Sequence, residues 1–400
     1  MKKIIKLITF IGIFIILVNI LSSYIYEENI KIKLGNEILF ERHFDLIKGK
    51  RIGLITNHTG LNSRFQSTAE LLANNHQTNL VALFASEHGL DGKAKAGEYV
   101  ESYLHDQYKI PVYSLYGPTR KPTPKMLENI DLLLYDIQDI GARTYTYIST
   151  LNYCMWAAKE NGKTVVVLDR PNPLGGLIVD GPISEEDFLT FVGVDILPMA
   201  HGMTIGELAR YFNRRIGVKL IVIPMDGYTR DMMFPDTGLY WIPTSPMIPD
   251  FLSALLYMAT GLGEGTGIRQ DDYFKWVGGK NINSKVFAQD LNRIGLPGVH
   301  FIPQTKGELG GVQLNITNIR TFQPAYTGLC ILSCVHKLIS YPVPKSDKEL
   351  TMFDKIMGTA LISNLIEKDV SYQDLQNAYQ ESLENFKKVR IKYIIYKYLS

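Results

Sequence analysis

Residues 132–143 read LLLYDIQDIGAR, so a short apolar run leads directly into a polar cluster, and this stretch decides the fold. Three further apolar runs, at residues 52–55, 80–85 and 165–168, end in the same way. Short continuous apolar runs are typical of strands buried on both faces, as in a parallel sheet covered by helices. The sequence therefore predicts an α/β fold with a doubly wound, mostly parallel sheet.

Polar residues follow all four runs, at the points where the predicted strands end. In open parallel sheets, ligands bind outside the carboxyl ends of the strands, so these residues are predicted to meet in one cleft. Carboxylates and hydrogen-bond donors dominate the set, which is typical of an active site. Its members are Asn57, His58, Glu87, His88, Asp136, Gln138, Asp139, Arg143, Asp169 and Arg170.

Helix-start signals alternate with the strands up to about residue 223. Capping boxes at residues 67–70 and 204–207 are the clearest of them. This alternation predicts a catalytic domain at residues 33–270. Residues 226–249, rich in Pro, Gly and aromatic residues, are predicted to be either a domain connection or a loop over the cleft.

The pattern changes from about residue 280, where short strands are followed by helices. Strands are predicted near residues 299–302 and 312–316, and helices near 324–338, 348–357 and 371–388. We therefore predict a smaller α+β auxiliary domain at residues 271–400.

The first residues of the chain resemble an export signal. Lys2, Lys3 and Lys6 precede an apolar run at residues 7–21. A basic segment followed by an apolar one predicts a signal peptide or an uncleaved membrane anchor over residues 1–28. Both alternatives place the rest of the chain outside the cytoplasm, either secreted or attached to the outer face of a bacterial cytoplasmic membrane.

Composition and motifs exclude several classes of function. The 400 residues carry a formal net charge of +2, which indicates no nucleic-acid partner, and three cysteines argue against a disulfide scaffold. The glycines of residues 261–267 fit neither common nucleotide-binding motif. The chain also lacks a nucleophile elbow and paired metal-ligand motifs, so we expect no cofactor and no metal.

Carboxylate chemistry remains, and two carboxylates are the usual apparatus of glycoside hydrolysis. Amides and aromatic rings at Asn57, Gln138, Asn172, Tyr145 and Tyr147 suit sugar hydroxyls. Glu87 is the strongest catalytic candidate, because it lies just past a strand end where its side chain can face the cleft.

The chain resembles a bacterial family of glycoside hydrolases, the NamZ-type exo-β-N-acetylmuramidases, from about residue 33 onward. The resemblance rests on seven ordered motifs. They are at residues 53–60, 86–89, 113–117, 136–147, 169–176, 201–208 and 310–314.

This resemblance implies a Rossmann-like catalytic domain without a dinucleotide, together with a C-terminal auxiliary domain. It implies release of N-acetylmuramic acid from the non-reducing ends of peptidoglycan fragments, with Glu87 as the catalytic acid. Asp139 and Glu264 are candidates for a second catalytic carboxylate, and the 2-acetamido group of the substrate is an alternative to both. His201 and Arg269 join the predicted substrate-binding residues.

The lactyl carboxylate of N-acetylmuramic acid needs a cationic partner. Arg143 is the first candidate, because its guanidinium can bind a carboxylate through two hydrogen bonds, and Arg269 is the second. The alternative for Arg143 is a bracing ion pair with Asp136 or Asp139. For Asp169, which stands next to Arg170 and Pro171, the sequence favours a salt bridge that braces the loop over a substrate contact.

A rival class of function is a non-catalytic protein of the same fold that binds cell-wall glycans. Such a protein would keep the aromatic and amide contacts but could dispense with the acidic residues. The presence of Glu87 favours the enzyme.

Overall fold

The protein is described by a computed structural model that covers residues 31–398. The predicted signal peptide or anchor at residues 1–28 lies outside the described residues. Among residues 31–398, no helix combines the length and the apolar character needed to cross a membrane.

Seven strands form the larger sheet. They are β1 (Arg51–Thr56), β2 (Asn79–Ala85), β3 (Tyr103–Leu104), β4 (Pro111–Ser114), β5 (Leu132–Asp136), β6 (Thr164–Leu168) and β9 (Lys219–Ile223). Their order is β3-β4-β2-β1-β5-β6-β9, and every neighbouring pair is parallel except the pair of β3 with β4. The predicted α/β fold with a mostly parallel sheet is confirmed.

Helices cover both faces of this sheet. They are Gly35–Arg42, Thr68–Ala73, Pro124–Leu127, Tyr147–Glu160 and Ile205–Ile216. At the start of the last of these, the hydroxyl of Thr204 accepts from the Glu207 amide, and the Glu207 carboxylate accepts from the Thr204 amide. The predicted capping box therefore forms, and it ends the loop that enters this helix.

Alternating side chains of the strands point into separate hydrophobic clusters. Leu132 and Leu134 of β5 pack on one face with the helix Gly35–Arg42, while Leu133 and Tyr135 pack on the other with the helix Tyr147–Glu160. Burial on both faces explains why the strands read as continuous apolar runs.

A second sheet follows in the chain. Its strands are β10 (Arg269–Asp271), β11 (Trp276–Gly279), β12 (Val299–Pro303) and β13 (Gly310–Ile316), all antiparallel in the order β10-β11-β13-β12. The helices of this part are Phe251–Thr260, Ser284–Ile294, Pro324–Ile339, Met352–Met357, Leu361–Glu367 and Tyr372–Arg390. Val167 and Val312, from the two sheets, belong to one continuous hydrophobic cluster. The domain boundary after residue 270 stays a prediction.

Local structure differs from expectation in a few places. A two-stranded sheet of β7 (Asp180–Ile183) and β8 (Pro198–Ala200) has no apolar-run signal in the sequence. The helix predicted near 348–357 begins only at Met352, because the hydroxyl of Thr351 accepts from the Asp354 amide and caps it there. Residues 31–398 also contain three short 3-10 helices, at Phe44–Leu46, Glu186–Phe188 and Phe234–Thr237. All three cysteines are free and buried.

Candidate active site

The carboxyl ends of β2, β1, β5 and β6 lie side by side at one edge of the larger sheet, because these strands are parallel neighbours in that order. The polar clusters that follow the strands therefore start from the same edge. The structure separates them into an accessible group around Glu87 and a sealed group around Asp136.

Glu87 is half-buried in the turn that follows β2. One carboxylate oxygen accepts from the hydroxyl of Thr146, and the other accepts from the Gly97 amide at 3.1 Å. The phenol of Tyr116 lies beside the same carboxylate, and burial together with the Glu87 charge raises the pKa of Tyr116 to about 12. Glu87 is therefore oriented on two sides and remains accessible.

His88 turns the chain sharply after the glutamate. Its backbone has φ +70°, a left-handed conformation that is uncommon for residues other than glycine. Its Nδ1 lies 2.7 Å from the Ala94 carbonyl oxygen, so Nδ1 carries the hydrogen and Nε2 of the neutral ring is an acceptor. The ring also meets the edge of Tyr147, with the centroids 6.3 Å apart.

Three aromatic rings form a wall next to Glu87. Tyr145 packs edge-on against Tyr147 and Tyr257, with centroid separations of 4.8 and 5.9 Å. The phenol of Tyr145 donates to the Thr244 hydroxyl at 3.0 Å, and that of Tyr147 donates to the Thr244 carbonyl. Burial raises the pKa of all three phenols, so they are neutral hydrogen-bonding groups at physiological pH.

The contacts of Thr244 show where part of the irregular stretch 226–249 runs. The neighbouring Pro243 carbonyl accepts from Nε2 of His58 at 2.5 Å, and burial lowers the pKa of this histidine. This part of the stretch therefore covers the loop that follows β1, which agrees with the expectation of a loop over the cleft.

Asp139 and His201 form a buried acid–imidazole pair. Oδ2 of Asp139 accepts from the Gly141 amide at 2.7 Å and lies 3.7 Å from Nε2 of His201. Nδ1 of His201 accepts from the Met203 amide at 3.2 Å, so the hydrogen of the neutral ring is on Nε2. Within residues 31–398, neither Nε2 of His201 nor Oδ1 of Asp139 has a hydrogen-bond partner.

Tyr257 connects this pair to Glu87. The negative charges of both Glu87 and Asp139 contribute to the raised pKa of its phenol, after burial itself. Charge interactions in a protein weaken with distance, so Tyr257 lies within the range over which both carboxylates act. The group around Glu87 thus contains one half-buried acid, Glu87, and one buried acid, Asp139, and the charges of both act on a neutral phenol.

The sealed group is built around an ion pair. Nε of Arg170 donates to Asp136 at 2.5 Å, and both side chains are buried. The other carboxylate oxygen of Asp136 accepts from the hydroxyl of Thr68 at 2.6 Å, and Arg170 also donates to the Leu61 carbonyl at 2.8 Å. These contacts correct the prediction that Asp136 and Arg170 bind substrate, because the two groups neutralise one another inside the protein.

Asp169 is also sealed. Its Oδ2 accepts from the hydroxyls of Tyr396 and Thr204 at 2.6 and 2.8 Å, and its Oδ1 accepts from the amides of Gly206 and Arg170 at 2.7 and 2.9 Å. Burial raises the pKa of Asp169 to about 7. Its predicted substrate contact is corrected to a bracing role, through hydrogen bonds rather than an ion pair with Arg170.

Three predicted sugar-binding amides hold loops instead. Gln138 donates to the carbonyls of Asp139 and Pro171, each at 2.8 Å. Asn172 accepts from the Leu174 amide at 2.9 Å and donates to the Met203 carbonyl at 3.0 Å. Asn57 accepts from the amide and hydroxyl of Thr59 at 2.9 and 2.6 Å, but its Nδ2 is buried without a partner among the described residues.

Arg143 takes neither of its predicted roles. Its guanidinium is buried and donates to the carbonyls of Pro182, Leu197 and Ile356 at 3.0, 2.8 and 2.6 Å. Burial lowers its pKa to about 9. It therefore neither faces a cleft nor pairs with Asp136 or Asp139, and it connects β7 and the start of β8 to the helix Met352–Met357.

Glu264 and Arg269 are exposed in the segment that follows the helix Phe251–Thr260. That helix carries Tyr257, one of the three rings of the aromatic wall, so the segment follows the wall closely in the chain. The catalytic role of Glu264 and the lactyl contact of Arg269 stay predictions.

Sequence reasoning missed Tyr116, Thr146 and Tyr257. Tyr116 and Thr146 stand inside recognised motifs, directly after Leu115 and Tyr145. These motifs could therefore have pointed to both residues. Tyr257 lies in a largely buried apolar helix, where its spacing resembles that of an ordinary core residue. Only the folded chain brings it within the influence of both carboxylate charges.

This fold, with the half-buried Glu87 at the carboxyl edge of its sheet, fits a glycosidase-like α/β protein, and comparisons with known proteins agree. Residues 52–252 match the family "Exo-beta-N-acetylmuramidase NamZ, N-terminal", and residues 255–396 match its C-terminal counterpart. The chain therefore belongs to the NamZ family of exo-beta-N-acetylmuramidases, which confirms the resemblance.

Individual relatives agree with the family. The chain is 42% identical over 381 residues to the peptidoglycan beta-N-acetylmuramidase NamZ of Bacillus subtilis (strain 168), covering 92% of each. It also resembles crystal structures of two DUF1343 family proteins from Bacteroides fragilis NCTC 9343. The first has a TM-score of 0.84, 36% identity and coverage of 92% of this chain and 100% of the other. The second has a TM-score of 0.72, 27% identity and coverage of 92% and 99%.

Proposed function

We propose that this chain is a glycoside hydrolase that releases N-acetylmuramic acid from the non-reducing end of peptidoglycan fragments. The observation that carries this proposal is Glu87, an accessible glutamate oriented by Thr146 beside a wall of neutral phenols, in a chain of the NamZ family. The Bacillus subtilis relative bears the name of the same activity.

Glu87 is the proposed general acid. A glycosidase protonates the leaving oxygen as the glycosidic bond breaks, because an alkoxide is otherwise a poor leaving group. Thr146 and the Gly97 amide hold the carboxyl group in one orientation. The buried phenols of Tyr145 and Tyr147 bring apolar ring surface next to the acid.

Asp139 is the proposed second carboxylate in this reaction. Its Oδ1 has no hydrogen-bond partner among the described residues, and His201 lies 3.7 Å from its Oδ2. An imidazole at this distance can orient the carboxylate or stabilise its charge. The 2-acetamido group of the substrate remains the alternative, with Asp139 then polarising that group. Glu264 is the alternative carboxylate on the protein.

A chromogenic β-glycoside of N-acetylmuramic acid tests the proposal. We expect the protein to release the chromophore and, from peptidoglycan fragments, to release free N-acetylmuramic acid that mass spectrometry detects. The matching N-acetylglucosamine glycoside is the control for the lactyl group. Binding of the muramic acid glycoside without any turnover would favour the non-catalytic glycan-binding alternative instead.

Export from the cytoplasm is part of the proposal. Its support is the basic segment and apolar run at residues 1–28, together with a cell-wall substrate. Mass spectrometry of the protein from its native host would distinguish cleavage from retention of this segment. An intact N-terminus in the membrane fraction would indicate an anchor, and an intact N-terminus in the cytoplasm would contradict export.

A further inference from the structure

Two exposed aromatic rings stand together on the loops that border the candidate site. Phe65 is 50% exposed and Tyr240 is 63% exposed, and their rings meet edge to face with centroids 5.9 Å apart. Large rings are usually buried, because exposing them to water is unfavourable. A pair of rings held in solvent at contact distance forms a ready surface for a partly apolar ligand.

Hydrogen bonds within the loop that carries Phe65 hold this residue at the tip of the loop. Oδ1 of Asn62 accepts from the amides of Arg64 and Gln66, each at 2.9 Å. The Asn62 amide donates in turn to the Gln66 carbonyl at 2.9 Å, so the tip is closed on itself. Phe65 at the tip has φ +62°, a strained conformation for an aromatic residue.

This strain points to a use for the side chain. A left-handed conformation costs a residue other than glycine on the order of 1–3 kcal/mol, and glycine would avoid that cost. A phenylalanine that packs in the core could offset the strain by burial, but half of this side chain is exposed. Burial of this ring therefore offsets less of the strain than burial of a core phenylalanine would.

Tyr240 is directed outward by its neighbour. Trp241 packs inward against Phe234, with centroids 4.8 Å apart, and its indole donates to the Ile248 carbonyl at 3.3 Å. With Trp241 anchored in the protein, Tyr240 stands on the outer side of the same segment.

The two loops that carry these rings reach the candidate site through other residues. Four residues after Tyr240, Thr244 binds the phenols of Tyr145 and Tyr147, and four residues span at most about 14 Å. The loop of Phe65 also contains His58, which binds the Pro243 carbonyl. The aromatic pair therefore lies within reach of a glycan whose terminal sugar occupies the site.

We propose that Phe65 and Tyr240 form a binding surface for the sugar rings on the leaving-group side of the substrate. This inference rests on the proposed function, because an enzyme that acts on the terminal sugar must hold the rest of the glycan outside its cleft. The apolar face of a pyranose ring packs against aromatic rings, while its hydroxyls remain in water. The chemical class of the ligand is thus a β-linked glycan of two or more sugars.

The test compares two substrates of different length. The variants Phe65→Ala, Tyr240→Ala and their double mutant are assayed on the chromogenic muramic acid glycoside and on a peptide-free glycan tetrasaccharide that begins with N-acetylmuramic acid. We expect kcat/KM for the tetrasaccharide to fall about five- to tenfold for each ring, and kcat/KM for the small glycoside to stay within about twofold. Tyr240→Phe should retain most activity on the tetrasaccharide.

Trp156→Ala is the matched control. This ring is 39% exposed on the helix Tyr147–Glu160, two turns away from the end of that helix that meets the site. Its removal should affect neither substrate. Equal losses on both substrates for the Phe65 and Tyr240 variants would indicate a structural role and overturn the proposal, as would an unchanged kcat/KM for the tetrasaccharide.

Binding measurements separate this inference from the proposed function. Calorimetry of the tetrasaccharide with the Glu87→Gln protein does not require turnover. Weaker binding after removal of either ring supports the surface even if the wild-type protein hydrolyses nothing. Unchanged binding of the tetrasaccharide, or a loss confined to peptide-bearing fragments, overturns a sugar-binding role.

Discussion

The two polar groups at the sheet edge differ in how their charges are satisfied. Around Asp136, each carboxylate oxygen has a partner within the protein, and Arg170 neutralises the charge. Around Glu87, the partners are neutral groups, the Thr146 hydroxyl and the Gly97 amide with the Tyr116 phenol beside them, and the side chain is half-buried. Charges that are fully satisfied inside a protein support its fold, whereas accessible and partly satisfied charges are available for chemistry.

The C-terminal segment provides further hydrogen-bond partners for the sealed group. The Tyr396 hydroxyl donates to Asp169, and the Ile395 amide donates to Glu207 at 2.8 Å. Glu207 in turn pairs with the buried Arg230 at 2.7 Å. Residues far along the chain thus close the sealed group.

The largest expected effect is on catalysis by the accessible group. Glu87→Gln should lower kcat on the muramic acid glycoside about 10²- to 10⁴-fold, because the amide cannot donate the required proton. The thermal midpoint should change little, since the glutamine oxygen can accept from the Gly97 amide and its NH2 group can donate to the Thr146 hydroxyl. Glu98→Gln, an exposed glutamate in the same loop, is the control and should retain activity. Near-normal turnover by Glu87→Gln would remove Glu87 from the mechanism.

The next effect is on the stability of the sealed group. Arg170→Met should lower the free energy of unfolding by about 3–5 kcal/mol, because it leaves the Asp136 carboxylate buried without its cation. Chemical denaturation measures this change. The control Arg51→Met removes an exposed pair with Asp131 and should cost under about 1 kcal/mol. Similar losses for both variants would mean that the Asp136–Arg170 pair is not sealed.

Arg143 tests the difference between a substrate-binding residue and a bracing residue, because the sequence predicted that it binds the substrate. Arg143→Lys should lower the free energy of unfolding by about 1–3 kcal/mol, since lysine cannot reach the three carbonyls in the same geometry. KM for the muramic acid glycoside should not change. A large rise in KM with unchanged stability would restore the lactyl-binding role.

The smallest effect is a pH dependence. The pKa of Asp169 is about 7 in the folded protein and near its ordinary 3.8 in the unfolded chain. The folded state therefore binds more protons between these values, so this group makes stability fall as the pH rises through that window and not beyond it.

Asp169→Asn should flatten the fall, measured as the free energy of unfolding from pH 5 to pH 8. Asp131→Asn is the control, because Arg51 lowers the pKa of Asp131 to about 2 and its contribution is lost only under more acidic conditions. An Asp169→Asn profile parallel to that of the wild type would contradict the raised pKa.

Much of the fold followed from local patterns. Runs such as residues 132–136 are buried on both faces, and their largely apolar composition predicts this burial. The capping box at Thr204 also formed as predicted, because its hydrogen bonds join residues three apart. The sheet of β7 and β8 was missed because its short strands carry no periodic apolar signal.

The sequence by itself determined the α/β class, the family and the edge of the sheet at which the polar residues gather. These depend on short-range order, on the burial of apolar runs and on motifs in a fixed sequence. Glu87 could also be singled out, because its position after β2 follows from the strand boundary alone.

Only the tertiary structure decided which charged residues are accessible. Arg143 binds the carbonyl of Ile356, and Asp169 binds Tyr396, through contacts that join residues more than 200 positions apart. Whether a charge is neutralised depends on the partners that the folded chain brings to it, and a sequence pattern after a strand cannot specify them. The separation of a reactive group from a bracing group is therefore a property of long-range packing.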